Sequence, residues 1–146
     1  LVSSAKRGSR RLVSVVLGAA SDRARAQESL KLLNFGFQFY DAVQLYAKNE
    51  PVSTLKVWKG KESTVKIGFA RDLVMTVPKG FGPKIKTELV SQQRLMAPIA
   101  LGQVLATLKV SIDDKAYGDY PVVALEEVPA AGILGRMIDS VRLWFL

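Results

Sequence analysis

A single helix-period segment, Ser21 to Tyr40, lies between two stretches that read as β structure, and its position limits the folds open to this chain. Ser21 or Asp22 can cap a helix there, because a short side-chain oxygen accepts an otherwise orphaned backbone N–H. Ala24, Ala26, Leu30, Lys31, Leu32 and Leu33 favour helix. Ala26, Leu30, Leu33 and Phe37 recur three and four residues apart and predict one apolar stripe packed on a sheet. Arg23, Arg25, Gln27, Glu28 and Lys31 form the polar remainder. Asn34 and Gly36 mark where the helix is expected to loosen. Phe35, Phe37, Phe39 and Tyr40 crowd the junction with the next strand and read as core.

Ahead of the helix, Leu1 to Ala5 and Leu12 to Leu17 predict two strands, with Lys6-Arg-Gly-Ser-Arg10 as the hairpin loop. Leu12-Val-Ser-Val-Val-Leu17 is almost wholly apolar, the pattern of a strand covered on both faces. One hairpin and one helix cannot cover it twice. The chain also opens without Met or a signal-peptide pattern. The expectation is a C-terminal portion of a longer protein, with the Leu12–Leu17 strand open to pairing with a second copy.

From Tyr40 the hydrophobic period changes to two. Val65, Ile67 and Phe69 alternate with polar or small residues, Leu73, Met75 and Val77 form a second inward set, and Leu108, Val110 and Ile112 form a third. Pro78 to Pro83 is a turn, Ala97 to Gly102 a loop, and Asp113-Asp-Lys115 a hairpin tip. The fold class is mainly β: an antiparallel β-sandwich preceded by a hairpin and helix and followed by an amphipathic helix. On that last helix Ile133, Leu134, Met137, Ile138, Val141, Trp144 and Phe145 share one arc, opposite Arg136, Asp139, Ser140 and Arg142, with Leu143 the exception. At ~1.5 Å per residue it is too short to span a bilayer but suited to lie in an anionic membrane surface; the plainer alternative is that it folds back on its own domain or on a partner.

Arg25-Ala-Gln-Glu-Ser-Leu-Lys-Leu-Leu-Asn-Phe-Gly-Phe37 resembles the R-x-x-E-S-x-x-L-L-x-(W/F)-G-F segment of the D-alanyl-D-alanine carboxypeptidases. These are the low-molecular-mass penicillin-binding proteins, types 5 and 6, of the bacterial cell wall. Arg11 to Gly18, Ala97-Pro98, Gly102-Gln103 and Pro121 to Pro129 extend the match in the same order. The resemblance implies three parts: residues 1–39 as the C-terminal remnant of the penicillin-binding domain, 40–129 as an all-β domain, and 130–146 as a membrane-contacting helix. It implies a parent that removes the terminal D-alanine of peptidoglycan stem peptides through a serine acyl-enzyme, which β-lactams trap. It places the protein at the periplasmic face of the inner membrane. It aligns Arg25 with an arginine beside the cleft, near the substrate carboxylate, where two parallel hydrogen bonds suit a guanidinium. A helix-surface pair of Arg25 with Glu28 is the plainer alternative.

Chemistry within the chain is sparse. With no Cys and no His there is no disulfide, thiolate or histidine base. Family catalysis rests on Ser-x-x-Lys, Ser-x-Asn and Lys-Thr-Gly motifs. Ser3-Ser-Ala-Lys6 matches the first in letters only, so no catalytic residue is assigned. Asp113-Asp114 and Glu126-Glu127 read as a turn and a strand end, no metal ligand set is assigned, and no cofactor is implied. The net charge is +8, and residues 1–35 carry seven Lys/Arg against two acids. That balance suits anionic partners, although the aromatics do not form the stacking face of a nucleic-acid binder. The alternative function is a non-catalytic β module that binds wall polymer or a partner protein through Lys56, Lys59, Lys66 or Lys79. This chain by itself is expected to take up no labelled penicillin; covalent labelling detected by mass spectrometry would place a nucleophile within it.

Overall fold

The computed structural model describes residues 1–145, with side chains at all of these except residues 133–137. In chain order the elements are β1 (Val2–Arg7), β2 (Arg10–Val15), α1 (Asp22–Phe39), β3 (Tyr40–Tyr46), β4 (Ser53–Trp58) and β5 (Thr64–Gly68). There follow β6 (Leu73–Pro78), a 3-10 turn (Gly82–Lys84), β7 (Ile85–Ser91), β8 (Leu95–Met96), β9 (Val104–Ile112), β10 (Lys115–Ala124) and α2 (Ile133–Trp144). Two compact units result: Leu1–Val43 with Met75–Pro83, and Gln44–Val74 with the residues from Lys84 onward. The division falls inside β3 and β6, which pair as a two-stranded sheet.

In the first unit β1 and β2 pair antiparallel, with Val2 opposite Val15 and Arg7 opposite Arg10. The turn is therefore only Gly8-Ser9, and the strands run through most of the segment expected as loop. Gly8 at φ +60° supplies the left-handed backbone that such a two-residue turn needs. Side chains alternate between faces along a strand. Ser14 and Val16 are buried and Leu12 half-buried on the face that α1 covers. On the other face Val13, Val15 and Leu17 are 62%, 57% and 85% exposed. As expected from one hairpin and one helix, the chain covers this strand on one face and leaves the apolar side chains of the other face uncovered.

Ser21 caps α1, its hydroxyl accepting the Ala24 N–H at 3.1 Å. The helix runs unbroken to Phe39, so Asn34 and Gly36 do not loosen it. The predicted stripe is also corrected. Ala26 and Leu30 are exposed, and the buried or half-buried face is Ser29, Leu33, Gly36 and Phe37. Small residues decide this. A Cβ at position 36 would lie 2.6 Å from Leu12 Cδ1, so glycine lets the helix settle close on β2. Of the four aromatics expected in the core, Phe37 alone is buried. Phe35, Phe39 and Tyr40 are exposed and lie against one another, with ring centroids 4.8 Å apart for Phe35–Phe39 and 6.1 Å for Phe35–Tyr40.

The second unit is built on a six-stranded sheet in the order β7-β9-β10-β5-β4-β8. All of its pairs are antiparallel except β4 with β8. The alternation predicted for these strands holds. Val65, Ile67 and Phe69 are buried, as are Leu108 and Val110, while Lys66 and Lys109 are exposed. Asp113 and Asp114 form the β9–β10 tip with φ of 51° and 63°, a left-handed pair suited to a tight hairpin. The core is closed by Leu105, Val122, Ala124, Val128 and Ile99. Leu108 sits at its centre, so Leu108→Ala is expected to cost about 2–5 kcal/mol of stability. Val74 is exposed on β6, and Val74→Ala is expected to stay within about 0.5 kcal/mol. Urea unfolding followed by tryptophan fluorescence measures both.

Candidate functional sites

Arg25 lies in the first turns of α1 and is half-buried, one turn before Ser29 on the side that meets the hairpin. Its guanidinium forms an ion pair with Asp22, three residues earlier. Glu28, the alternative partner, pairs instead with Lys31 at 3.1 Å. Asp22 also stands in the first turn of the helix, where the positive end of its dipole favours a carboxylate.

Ser3 and Lys6 are three residues apart on β1 and therefore point to opposite faces. Lys6 is exposed, whereas the Ser3 hydroxyl meets Ser14 Oγ at 2.9 Å and also contacts Ser29. Ser14 and Ser29 are hydrogen-bonded to each other as well. The three hydroxyls thereby satisfy one another between hairpin and helix, and Lys6, on the opposite face of β1, is not placed to act on Ser3 as a base. Next to this cluster Arg7 and Arg10 lie over the Phe37 ring at 4.6 and 5.1 Å. Arg10 also donates to the carbonyls of Gly36, at 3.3 Å, and Tyr40, where a cation suits the negative end of the helix.

The acid pairs have local structural partners. Asp114 accepts from Lys86 Nζ at 2.9 Å, and this bond with the Asp114 charge raises the lysine above its ordinary range. Glu126 accepts the Lys66 backbone N–H at 3.0 Å. Gly80, in the Gly80-Phe-Gly82 turn, has φ +84° and donates its N–H to Asp41 at 3.4 Å.

Among the described residues, Lys59 of the β4–β5 connection is hydrogen-bonded both to the C-terminal helix and to its approach. Lys59 N–H donates to the Asp139 carboxylate at 2.5 Å, and its carbonyl accepts the Ala131 N–H at 2.9 Å. Asp139, Ser140 and Leu143 are half-buried, whereas Ile138 and Val141 are exposed and Trp144 and Phe145 are 90% and 84% exposed. Leu143, the exception on the helical wheel, therefore lies on the less exposed side with Asp139. Of the predicted membrane-contacting set, Ile138, Val141, Trp144 and Phe145 are presented to solvent; Ile133, Leu134 and Met137 lie outside the residues whose side chains are described. Among the described residues no helix is long and apolar enough to cross a membrane.

Of the four lysines considered for polymer binding, Lys79 belongs to the first unit and the others to the second; the Lys59 and Lys66 backbone N–H groups bond to Asp139 and Glu126, and the Lys56 ammonium lies 4.0 Å over the Trp58 ring. Lys56 shares a groove with Lys61 and Arg142 of α2. Strand alternation already puts Lys56 and Trp58 on one face, but nothing local brings Arg142 to them.

Residues 40–130 match the family described as the penicillin-binding protein 5, C-terminal domain. The D-alanyl-D-alanine carboxypeptidase DacC of Escherichia coli is 36% identical over 146 residues, covering 99% of this chain and 36% of that protein. The D-alanyl-D-alanine carboxypeptidase DacA of the same organism is 33% identical with the same coverage. The chain thus spans about a third of the length of the curated relatives it matches. Among solved structures, penicillin binding protein 5 from Haemophilus influenzae superposes with a TM-score of 0.81 at 30% identity, covering 88% of this chain and 38% of that one.

Proposed function

This chain belongs to the penicillin-binding protein 5 C-terminal domain family, and we propose that it forms the membrane-facing part of a D-alanyl-D-alanine carboxypeptidase. In this reading the whole enzyme removes the terminal D-alanine of peptidoglycan stem peptides through a serine acyl-enzyme, and β-lactams acylate the same serine. The β unit is a spacer, and α2 rests on the periplasmic face of the inner membrane. The observation that carries the reading is the outward presentation of Ile138, Val141, Trp144 and Phe145 on a helix whose Asp139 is tied to Lys59. An apolar arc of that size exposed to water is unfavourable, and burying each large side chain in lipid returns ~1.5–3 kcal/mol. Trp144 suits headgroup depth, and the net charge of +8 favours anionic lipid.

Arg25 is the chain's contribution to substrate binding. Its pairing with Asp22 at the helix start leaves a half-exposed guanidinium, able to exchange that partner for the terminal carboxylate of a stem peptide.

Two measurements test these assignments. The Trp144→Ala, Phe145→Ala double variant is expected to bind phosphatidylglycerol vesicles at least about tenfold more weakly than the unaltered chain in a flotation assay. Equal binding would remove α2 as the contact. In the carboxypeptidase of which this chain would form part, Arg25→Ala is expected to raise KM for a D-Ala-D-Ala peptide about tenfold, a fair value for one charge-assisted contact. An unchanged KM would leave Arg25 to its ion pair alone.

A further inference from the structure

The space between β4 and α2 is a groove with two chemically different ends. One hollow, about 310 Å³, is bordered by Lys56, Lys61, Glu62, Ser63 and Arg142. The other, about 400 Å³, is walled by Trp58, Val141 and Phe145. Lys56, Trp58 and Arg142 border both, so the hollows adjoin along them. Among the described residues, Lys56, Lys61 and Arg142 take part in no ion pair. Two acids, Glu62 and Asp139, border the same hollow, so three cations face two carboxylates, and Asp139 is held in place by the Lys59 N–H. The Lys56 ammonium is steadied over the Trp58 ring at 4.0 Å, a cation–π contact that keeps it at the mouth of the groove.

We propose that this groove binds a single anionic phospholipid, with the headgroup phosphate between Lys56, Lys61 and Arg142 and the first acyl carbons along Trp58, Val141 and Phe145. The inference rests on the membrane-contacting reading of α2 and deepens it. Charge complementarity selects a phosphate, and the apolar hollow beside it selects an amphiphile. A glycan strand would leave the Val141–Phe145 end unmatched. The apolar wall is also continuous with the exposed arc of α2, so a lipid held here has its chain on the side that meets the bilayer. In this arrangement α2 supplies insertion, and the β unit supplies headgroup choice through Lys56 and Lys61.

The chain has two tryptophans, Trp58 and Trp144, so a Trp144→Phe background leaves Trp58 as the single fluorescent reporter of the groove. Titration with short-chain dihexanoyl phosphatidylglycerol below its micelle concentration is expected to change Trp58 emission saturably, and dihexanoyl phosphatidylcholine is not. Adding Lys56→Gln and Arg142→Gln is expected to weaken the effect at least about tenfold, while Lys109→Gln, an exposed cation on β9, leaves it unchanged. A Trp58 response that is absent, or equal in the Lys56→Gln, Arg142→Gln variant, overturns the groove. If the unaltered chain still floats with phosphatidylglycerol vesicles, the anchor reading stands without it. Failure to float with any vesicle while Trp58 still answers the soluble lipid removes the anchor and supports the groove. An equal response to inorganic phosphate overturns the lipid assignment in favour of a simple anion site.

Discussion

Lys59 fixes how the C-terminal helix meets the β unit. Its N–H is taken by the Asp139 carboxylate and its carbonyl by the Ala131 N–H, so one residue anchors both the approach to α2 and the helix itself. Its φ of 57° is uncommon for a residue with a side chain, and the two hydrogen bonds hold it there. The Lys61 N–H to Pro129 carbonyl bond, at 2.8 Å, continues the same short ladder. With Asp139 turned toward the β unit, helical spacing carries Trp144 to the open side and leaves Val141 and Phe145 exposed at the edge of the groove. The solvent-facing apolar arc and the groove at its edge both follow from that attachment.

The first unit is organised by small residues. Ser3, Ser14 and Ser29 fill the space between hairpin and helix with hydroxyls that satisfy one another, which a low-dielectric contact requires. Gly36 extends the same close approach toward the helix end, where Phe37 is held by the guanidinium groups of Arg7 and Arg10. The result is a helix seated through Ser29, Gly36, Leu33 and Phe37, with other large side chains such as Leu30, Leu32 and Phe35 left outside. Apolar residues in a helix-period pattern therefore overstated which of them this contact buries.

Legibility in the sequence followed the reach of the interactions. The sets Val65–Ile67–Phe69 and Leu73–Met75–Val77 were readable because a one-sided strand must alternate, whatever it packs on. The Asp113–Asp114 tip was readable because two short polar residues tolerate positive φ. β8 was not: two residues pairing in parallel with β4 carry no periodic signal. The alternative pairing of Arg25 was misplaced because Asp22 and Glu28 stand equally three residues away, and rotamers decide between them. The family motif around Arg25 to Phe37 was legible as a string, and residues 40–130 match the corresponding family.

The sequence by itself determined the order of hairpin, helix, β strands and amphipathic helix, since each rests on a local period, a cap or a turn residue. It also determined the absence of cysteine and histidine chemistry. Only the tertiary structure decided which face of each helix is covered, because that depends on where small side chains permit close approach and on a single carboxylate reaching a backbone N–H far away in sequence. The groove of Lys56, Trp58 and Arg142 belongs to this second class: β4 and α2 meet only when the intervening sheet is folded.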